Sequence, residues 1–376
     1  MSSLSVICGF VRSPFTPANK GGLARARPDD VAATVIKGLL DKIGLDPELI
    51  EDVIIGCAFP EGEQGFNLAR MVVFLADLPN KVGGVTINRF CGSSMQAIHD
   101  AAGRIAMGAG EAFICGGVES MTRIPMSGFN PMPNPRLAET MPEAYTNMGL
   151  TAENLAEAYD IDRESQQAFA IESHKRASNA SFEDVIIPIE TDEGVVSVDG
   201  CIRPGTNQST LSGLKPAFLE DGTVTAGTAS PLTDGAAFVL VCSETFAAEN
   251  NLTPLARIKS VAISGCAPDV MGIGPVEASR KALERAGLSL TDIDVVELNE
   301  AFAAQSLAVI KEMGLDTDKV NIDGGALALG HPLGASGARI VGRAATVLSR
   351  NDSKTALATM CIGGGQGIAT ILEKVD

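Results

Sequence analysis

The chain has 376 residues, of which 45% are apolar and 20% charged, with 40 glycines and no tryptophan. That length suits two or three domain-sized units around a sizeable core, and a mean hydropathy of +0.18 opposes disorder. With 29 basic and 46 acidic residues the net charge is −17, which disfavours non-specific binding to nucleic acid or anionic membranes but leaves room for a small anionic ligand held by local basic groups or helix N-termini.

No segment offers the long uncharged apolar run of a membrane span; Phe238 to Cys242 has the length of a core strand. The opening MSSLSVICGFVRSPF lacks a basic region ahead of its apolar residues, and the closing EKVD carries no peroxisomal or reticular address, so a cytoplasmic protein is expected. The eight cysteines are scattered without a C-x-x-C pair, which argues against a disulfide framework or a zinc ribbon and makes buried free thiols the default. Only His99, His174 and His331 can supply an imidazole.

The first predicted unit covers residues 31–59. Val31, Val35, Leu39 and Ile43 recur at helical spacing, the helix ends near Gly44, and a buried strand DVIIG follows. Residues 276–302 repeat this plan: a helix ends at Gly287-Leu288, an acidic turn follows, then an apolar strand DVVEL and a loop closing on Ala-Phe. Aligning the two glycines brings the strands into register with one extra residue in the first copy. A weaker echo links Thr86-Ile87-Asn88 with Val320-Asn321-Ile322. The chain reads as an internal duplication of an α/β unit in a layered architecture.

Between the copies, residues 119–229 have another texture. SMTRIPMSGFNPMPNPR is aperiodic and reads as a loop, LTAENLAEAYDIDRESQQAFAIESHKRASNA as a long, mostly polar helical stretch, and DEGVVSVDG as a hairpin ahead of a turn at Arg203-Pro204-Gly205. An inserted, loop-rich subdomain is expected here. The units are then 1–118 completed by about 230–253, the insertion 119–229, and 254–376.

Several small-residue turns can carry chemistry. Cys91 stands between an extended run and the helical GSSMQAIHDAAGRIAMG, where unpaired helix amides favour a thiolate; the structural alternative is a small buried residue at a tight turn. His331 sits among glycines and a proline and is the base candidate by elimination. His99 lies inside a helix, and His174 reads as an exposed surface residue. Cys361 ends a buried strand ahead of a glycine run whose bare amides can approach a ligand, or is a silent core thiol before a hairpin. Asn299 can hold a water or a carbonyl oxygen and Glu300 can orient a neighbour, unless the two serve as a helix cap. Neither GxxxxGK[ST] nor GxGxxG occurs, which weakens the P-loop and Rossmann readings. Two thiols and one imidazole suit a covalent acyl carrier with a separate proton donor or acceptor.

Four segments, NRFCGSSMQAI around Cys91, NEAFAAQ at 299–305, GGALALGHPLGASGAR around His331 and CIGGGQG from Cys361, resemble the thiolases in sequence and order, and the likeness runs from about Val11 to the C-terminus. The resemblance implies a duplicated αβαβα five-layer core with the insertion covering the site and binding coenzyme A. It assigns Cys91 as the acyl-accepting nucleophile and His331 as its base, with His331 and Asn299, through a water, holding the thioester oxygen. It assigns Cys361 as acid or base at the α-carbon, and the backbone N–H groups of Cys91 and Gly363 as a second oxyanion hole. Positions for coenzyme A are Met148, Arg203, Ala226, Ala229, Ser230, Ala301 and Phe302.

The implied reaction is CoA-dependent cleavage of a 3-ketoacyl-CoA, with coenzyme A and acyl-CoA as substrates and no permanently bound cofactor or metal. The alternatives are a biosynthetic acetoacetyl-CoA thiolase and a non-catalytic acyl-CoA carrier; a ketoacyl synthase would need a second catalytic histidine where Cys361 stands. Thr228 replaces the Asn of many biosynthetic members, and Asn147 stands where acetoacetyl-CoA-specific members often have His; both lean toward the degradative branch. The stretch from Met121 to Met148 is short for the family. A homodimer or homotetramer is implied, and a hydratase/dehydrogenase subunit suits a degradative member.

Overall fold

In the computed structural model, residues 4–350 and 352–375 are described; the extreme ends, which bear on the expected absence of sorting signals, lie partly outside them. The first half runs β1 (Ser5–Arg12), β2 (Thr16–Pro17), α1 (Pro28–Ile43), β3 (Asp52–Gly56), α2 (Leu68–Leu75), β4 (Gly83–Ile87), α3 (Ser93–Ala106) and β5 (Ala112–Ser120). The insertion carries α4 (Pro135–Thr140), α5 (Met148–Ala158), α6 (Arg163–Asn179), β6 (Ile189–Thr191), β7 (Gly194–Val196) and α7 (Gln208–Ser212). Then come β8 (Thr233–Ser243), α8 (Glu244–Glu249), β9 (Ala256–Gly265), α9 (Gly274–Ala286), β10 (Val295–Leu298), α10 (Ala303–Met313), α11 (Ala326–Leu329), α12 (Leu333–Arg350), β11 (Thr355–Ile362) and β12 (Gln366–Glu373).

The strand order β10-β11-β12-β9-β1-β8-β5-β3-β4 shows the duplication. In the first half β3 lies parallel to β4 and β5, and β5 meets β8 antiparallel. In the second, β10 lies parallel to β11, and β11 meets β12 antiparallel. A short β1–β9 ladder joins the halves.

Helices α3 and α12 pack against each other between the half-sheets, with α12 touching β5 and β8 on one side and β10 and β11 on the other. Helices α1 and α2 cover the outer face of the first half, and α9 that of the second, which makes five layers. Three apolar clusters fill the gaps: Ile54, Met95, Val239, Val341 and Met360 around the central helices, Val35, Leu39, Val53 and Ile55 under α1, and Val276, Leu283, Val296 and Leu298 under α9. Strand alternation explains the sorting, since neighbouring residues face opposite sheet faces.

The same alternation corrects the sequence register. An extra residue in the first copy pairs Val53 with Val295, yet Val53 faces outward and Val295 faces the central helices. Counting from the cap glycines Gly44 and Gly287, both left-handed at φ near 67°, Ile54 and Glu297 are each the tenth residue on, and both copies then match face for face. A one-residue slip turns every side chain over.

The insertion also differs from expectation. Its long helical stretch is two helices, broken at Asp160 (φ 52°) and restarted by Asp162, whose carboxylate accepts from Ser165 N. His174 is buried, not exposed, and its Nδ1 accepts from Arg203 N at 3.1 Å. Burial lowers its pKa to about 4, with Arg203 adding to the effect. The insertion is tied to the core by a buried bidentate pair in which the two terminal guanidinium nitrogens of Arg12 reach Asp199 at 2.6 Å. Among the described residues no helix is long and apolar enough to cross a membrane.

Candidate active site

Strand β4 runs out at Ile87, and α3 starts at Ser93; the turn between them presents Cys91. Asn88 holds the turn by donating Nδ2 to Ala58 O at 2.9 Å and accepting Phe90 N on Oδ1 at 2.8 Å. The Ser93 hydroxyl accepts from Arg89 N and donates to Phe90 O. Phe90 is thereby kept at φ 43°, a left-handed conformation unusual for a bulky residue, immediately before the thiol.

The backbone N–H groups of Gly363 and of Cys91 itself lie near enough to the Cys91 sulfur to favour its thiolate. Burial pushes its pKa up to about 11, against the pull of those two amides, and the carboxylate of Glu119 adds to the rise. The thiol is therefore protonated at rest, despite its place at a helix N-terminus.

Cys361 comes from the other half, one residue before the end of β11, and is buried beside Met271 and Ala301, with Met148 and Phe302 packed around them. Its pKa is raised by burial first and by the charge of Cys91 second, so the two thiols share one site.

His331 follows α11. Gly330, at φ 98°, makes the turn; a side chain there would run into Thr233 Oγ1 at 2.6 Å. The His331 backbone N–H donates to that hydroxyl at 3.0 Å. The ring is buried, with Nε2 3.4 Å from Asn299 Nδ2 and Nδ1 2.5 Å from Ser336 Oγ. Burial, reinforced by Arg339, lowers its pKa to about 3, so it is neutral at rest. Asn299 Oδ1 is buried without a hydrogen-bond partner.

Asn299 is not a helix cap: α10 starts after Phe302 and has no side-chain cap. Glu300 does orient its neighbours. Its carboxylate accepts from Ser173 Oγ at 2.6 Å, Asn321 Nδ2 at 2.7 Å and Leu327 N at 3.2 Å, fixing the segment that leads to His331. Thus Cys91, Gly363 and Cys361 come together from two segments, Asn299 and His331 meet from two others, and Leu333, two residues past His331, shares an apolar cluster with Cys91. His99 stands apart, buried with Nε2 2.8 Å from Thr370 Oγ1.

Of the coenzyme A positions, Ala229 bridges to Phe302, Ser230 N donates to Ala301 O at 2.9 Å, and Met148 packs with Ala301, Phe302 and Cys361. Ala226 and Arg203 are exposed on turns of the insertion. Thr228 and Asn147 serve local structure: the Thr228 hydroxyl accepts from Thr225 N at 2.9 Å, and Asn147 caps α5 by accepting Gly149 N at 2.8 Å.

Two residues escaped the sequence reading. Glu119, fully buried in β5, accepts from Ala58 N (2.7 Å), Phe59 N (3.2 Å), Gly334 N (2.8 Å) and Gln64 Nε2 (3.0 Å). It connects the segment that anchors Asn88 to the turn after His331, and burial raises its pKa. Its signal was a lone carboxylate in the apolar run AFICGGVES. Ser336 lies five residues beyond His331 within GHPLGAS, and only the first turn of α12 brings it back to the ring.

The structure thus places two thiols side by side, and a neutral imidazole beside an amide whose oxygen has no partner. Such a group can exchange an acyl unit between thiols, with one sulfur holding the acyl group and the other moving a proton.

Comparison with known proteins gives the same answer. The family model described as "Thiolase, N-terminal domain" matches residues 5–245, and "Thiolase, C-terminal domain" matches residues 252–374. A 3-ketoacyl-CoA thiolase of Bacillus subtilis (strain 168) is 46% identical over 386 aligned residues, covering 98% of this chain and 99% of that protein. One from Idiomarina loihiensis is 48% identical, with 98% and 99% covered. Among solved structures, human mitochondrial 3-ketoacyl-CoA thiolase in complex with CoA superposes with a TM-score of 0.91 at 39% identity, covering 99% of this chain and 98% of that one. The Bacillus anthracis acetyl-CoA acetyltransferase matches with the same TM-score and identity, covering 100% and 99%. With both halves matched and the five-layer fold shared, this chain belongs to the thiolase family of acyltransferases.

Proposed function

We propose that the chain is a cytoplasmic 3-ketoacyl-CoA thiolase, cleaving its substrate with coenzyme A to acetyl-CoA and a shortened acyl-CoA. The observation that carries this reading is the nearness of the two thiols: the Gly363 amide acts on the Cys91 sulfur, and Cys91 in turn raises the pKa of Cys361 beside the apolar cluster of Met148, Ala301 and Phe302.

In this reading His331 Nε2 takes the Cys91 proton as the sulfur attacks the keto carbon. In this proposal the amides of Cys91 and Gly363, which already favour negative charge at the sulfur, receive the oxyanion. The Cα–Cβ bond breaks, and the acetyl-CoA carbanion takes the Cys361 proton. The thiol of coenzyme A then attacks the acyl group on Cys91, and its proton is returned to the enzyme. The neutral resting imidazole and protonated thiols suit this sequence, since each proton moves only as the chemistry demands it.

Residues 119–229 form the cover in this proposal, with Met148, Arg203, Ala226, Ala229, Ser230, Ala301 and Phe302 along the coenzyme A path. Contiguity of Met148, Ala229, Ser230, Ala301 and Phe302 with Cys361 supports it. A homodimer or homotetramer fits the end of the sheet. There β4 is an edge strand, and Phe66 (91% exposed), Met71, Phe74 and Leu75 leave apolar surface on the neighbouring segment.

A short-chain acetyl-CoA acetyltransferase is the second reading, favoured by the likeness to the Bacillus anthracis structure, while the local hydrogen bonds of Thr228 and Asn147 account for both residues without reference to chain length. Thiolysis of acetoacetyl-CoA beside medium- and long-chain 3-ketoacyl-CoA at equal concentrations decides between them. Preference for longer chains supports the first, preference for acetoacetyl-CoA the second, and no thiolysis overturns both. In the same assay Cys91→Ser abolishes trapping of labelled acyl groups; label trapped elsewhere would refute the assignment.

A further inference from the structure

Ser336 has no role in the reading above. It lies in the first turn of α12 and is 1% exposed. Its Oγ is 2.5 Å from His331 Nδ1 and 3.0 Å from Pro332 O. A carbonyl oxygen only accepts, so the hydroxyl that donates to Pro332 O offers its lone pairs to the imidazole. The ring nitrogen facing it must then carry a hydrogen. On the other side of the ring, Asn299 Nδ2 approaches Nε2 at 3.4 Å, and an amide nitrogen only donates. Both neighbours therefore ask for the same tautomer from opposite sides.

We infer that Ser336 is a positioning residue that holds His331 as its Nδ1–H tautomer, leaving Nε2 unprotonated as the basic nitrogen of the site. The backbone provides the reference for this choice: Pro332 O also accepts from Ala335 N and Ser336 N, both at 3.0 Å, so the carbonyl that orients the hydroxyl is itself fixed by the start of α12. Gly334 N is held by Glu119 at 2.8 Å, which locks that start to β5. A free imidazole divides between two tautomers, and an ordering partner on one nitrogen removes the division. The ring also gains a fixed plane, so its accepting lone pair keeps one direction.

This inference deepens the proposed thiolase reading and rests on it for the identity of the base, but its test does not need that chemistry. The full chain is labelled with ¹⁵N-histidine, and the three imidazoles are resolved by their long-range proton–nitrogen couplings, with His331 assigned by its loss in His331→Gln. The wild type should show His331 with Nδ1 protonated and Nε2 bare at pH 7. Ser336→Ala should mix the tautomers and lower kcat/KM for thiolysis about 10- to 100-fold with KM little changed. Ser336→Thr, which keeps the hydroxyl, should restore both. A proton on Nε2 in the wild type overturns the inference without any variant. So does an unchanged tautomer in Ser336→Ala. If no 3-ketoacyl-CoA is cleaved but the tautomer responds to Ser336, the thiolase reading fails and the positioning role stands.

Discussion

The two copies share a skeleton and differ in what they put at the same place. In the first, β4 pairs with β3 along five residues, and the chain beyond it delivers Cys91 to α3. In the second, the corresponding strand shrinks to one parallel bridge between Val296 and Val320. The Asn321 side chain takes over the ladder, accepting from Leu298 N at 2.9 Å and donating to Leu298 O at 2.8 Å. The segment released from pairing, 322–332, is free to bend through α11 and place His331.

Their inner faces differ as well. Where the first half turns Ile54 toward the central helices, the second turns Glu297, paired at 2.9 Å with Arg339 of α12, both almost wholly buried. Burial raises the Glu297 pKa to about 7, with Arg339 pulling against it. Duplication supplied a scaffold, and catalysis required the copies to diverge at the strand ends.

The largest effect expected from erasing this difference comes from Glu297→Ile, which copies the first half into the second. It leaves Arg339 buried without its partner and should cost about 3–5 kcal/mol in denaturant unfolding. Adding Arg339→Met should recover most of that loss; a double variant no better than the single would show the charge pair is not the source. Asn321→Ala removes the side-chain ladder and orphans the Leu298 amide and carbonyl. About 1–3 kcal/mol should be lost, and Asn299, next in the chain to Leu298, should loosen its hold on His331, read as lower kcat with a smaller change in Tm.

Acid stability compares the regions through their histidines. His99 in the first half (about 3) and His174 in the insertion (about 4) both have pKa values lowered by burial. The folded state keeps them neutral while the unfolded state binds protons near pH 6.5. Their contribution is complete above pH 6.5 and is lost as pH falls toward 4 for His174 and 3 for His99. Each steepens the decline by about 1.4 kcal/mol per pH unit. His99→Asn should flatten the acid limb by one such increment relative to wild type; an unchanged slope would mean His99 is charged in the fold. The smallest and most symmetrical effect is at the caps. Gly44→Ala and Gly287→Ala meet no neighbouring atoms, so each should cost about 1 kcal/mol through the left-handed backbone alone, equally in both halves.

Much was legible before folding was considered. Helical periodicity and the cap glycines located α1 and α9, apolar runs located β3 and β10, and small-residue turns marked Cys91, His331 and Cys361. These signals are local: backbone propensity, side-chain period and left-handed caps act within a few residues. The strand register, the burial of His174, the break between α5 and α6, and the parts played by Glu119 and Ser336 were decided by the tertiary structure. Each depends on a partner distant in sequence or on a face chosen by packing. A carboxylate in an apolar strand is only an anomaly until Ala58, Phe59 and Gly334 turn their amides toward it. The residue types came from the sequence, but the protonation state of each catalytic candidate came from burial, which exists only once the layers have closed.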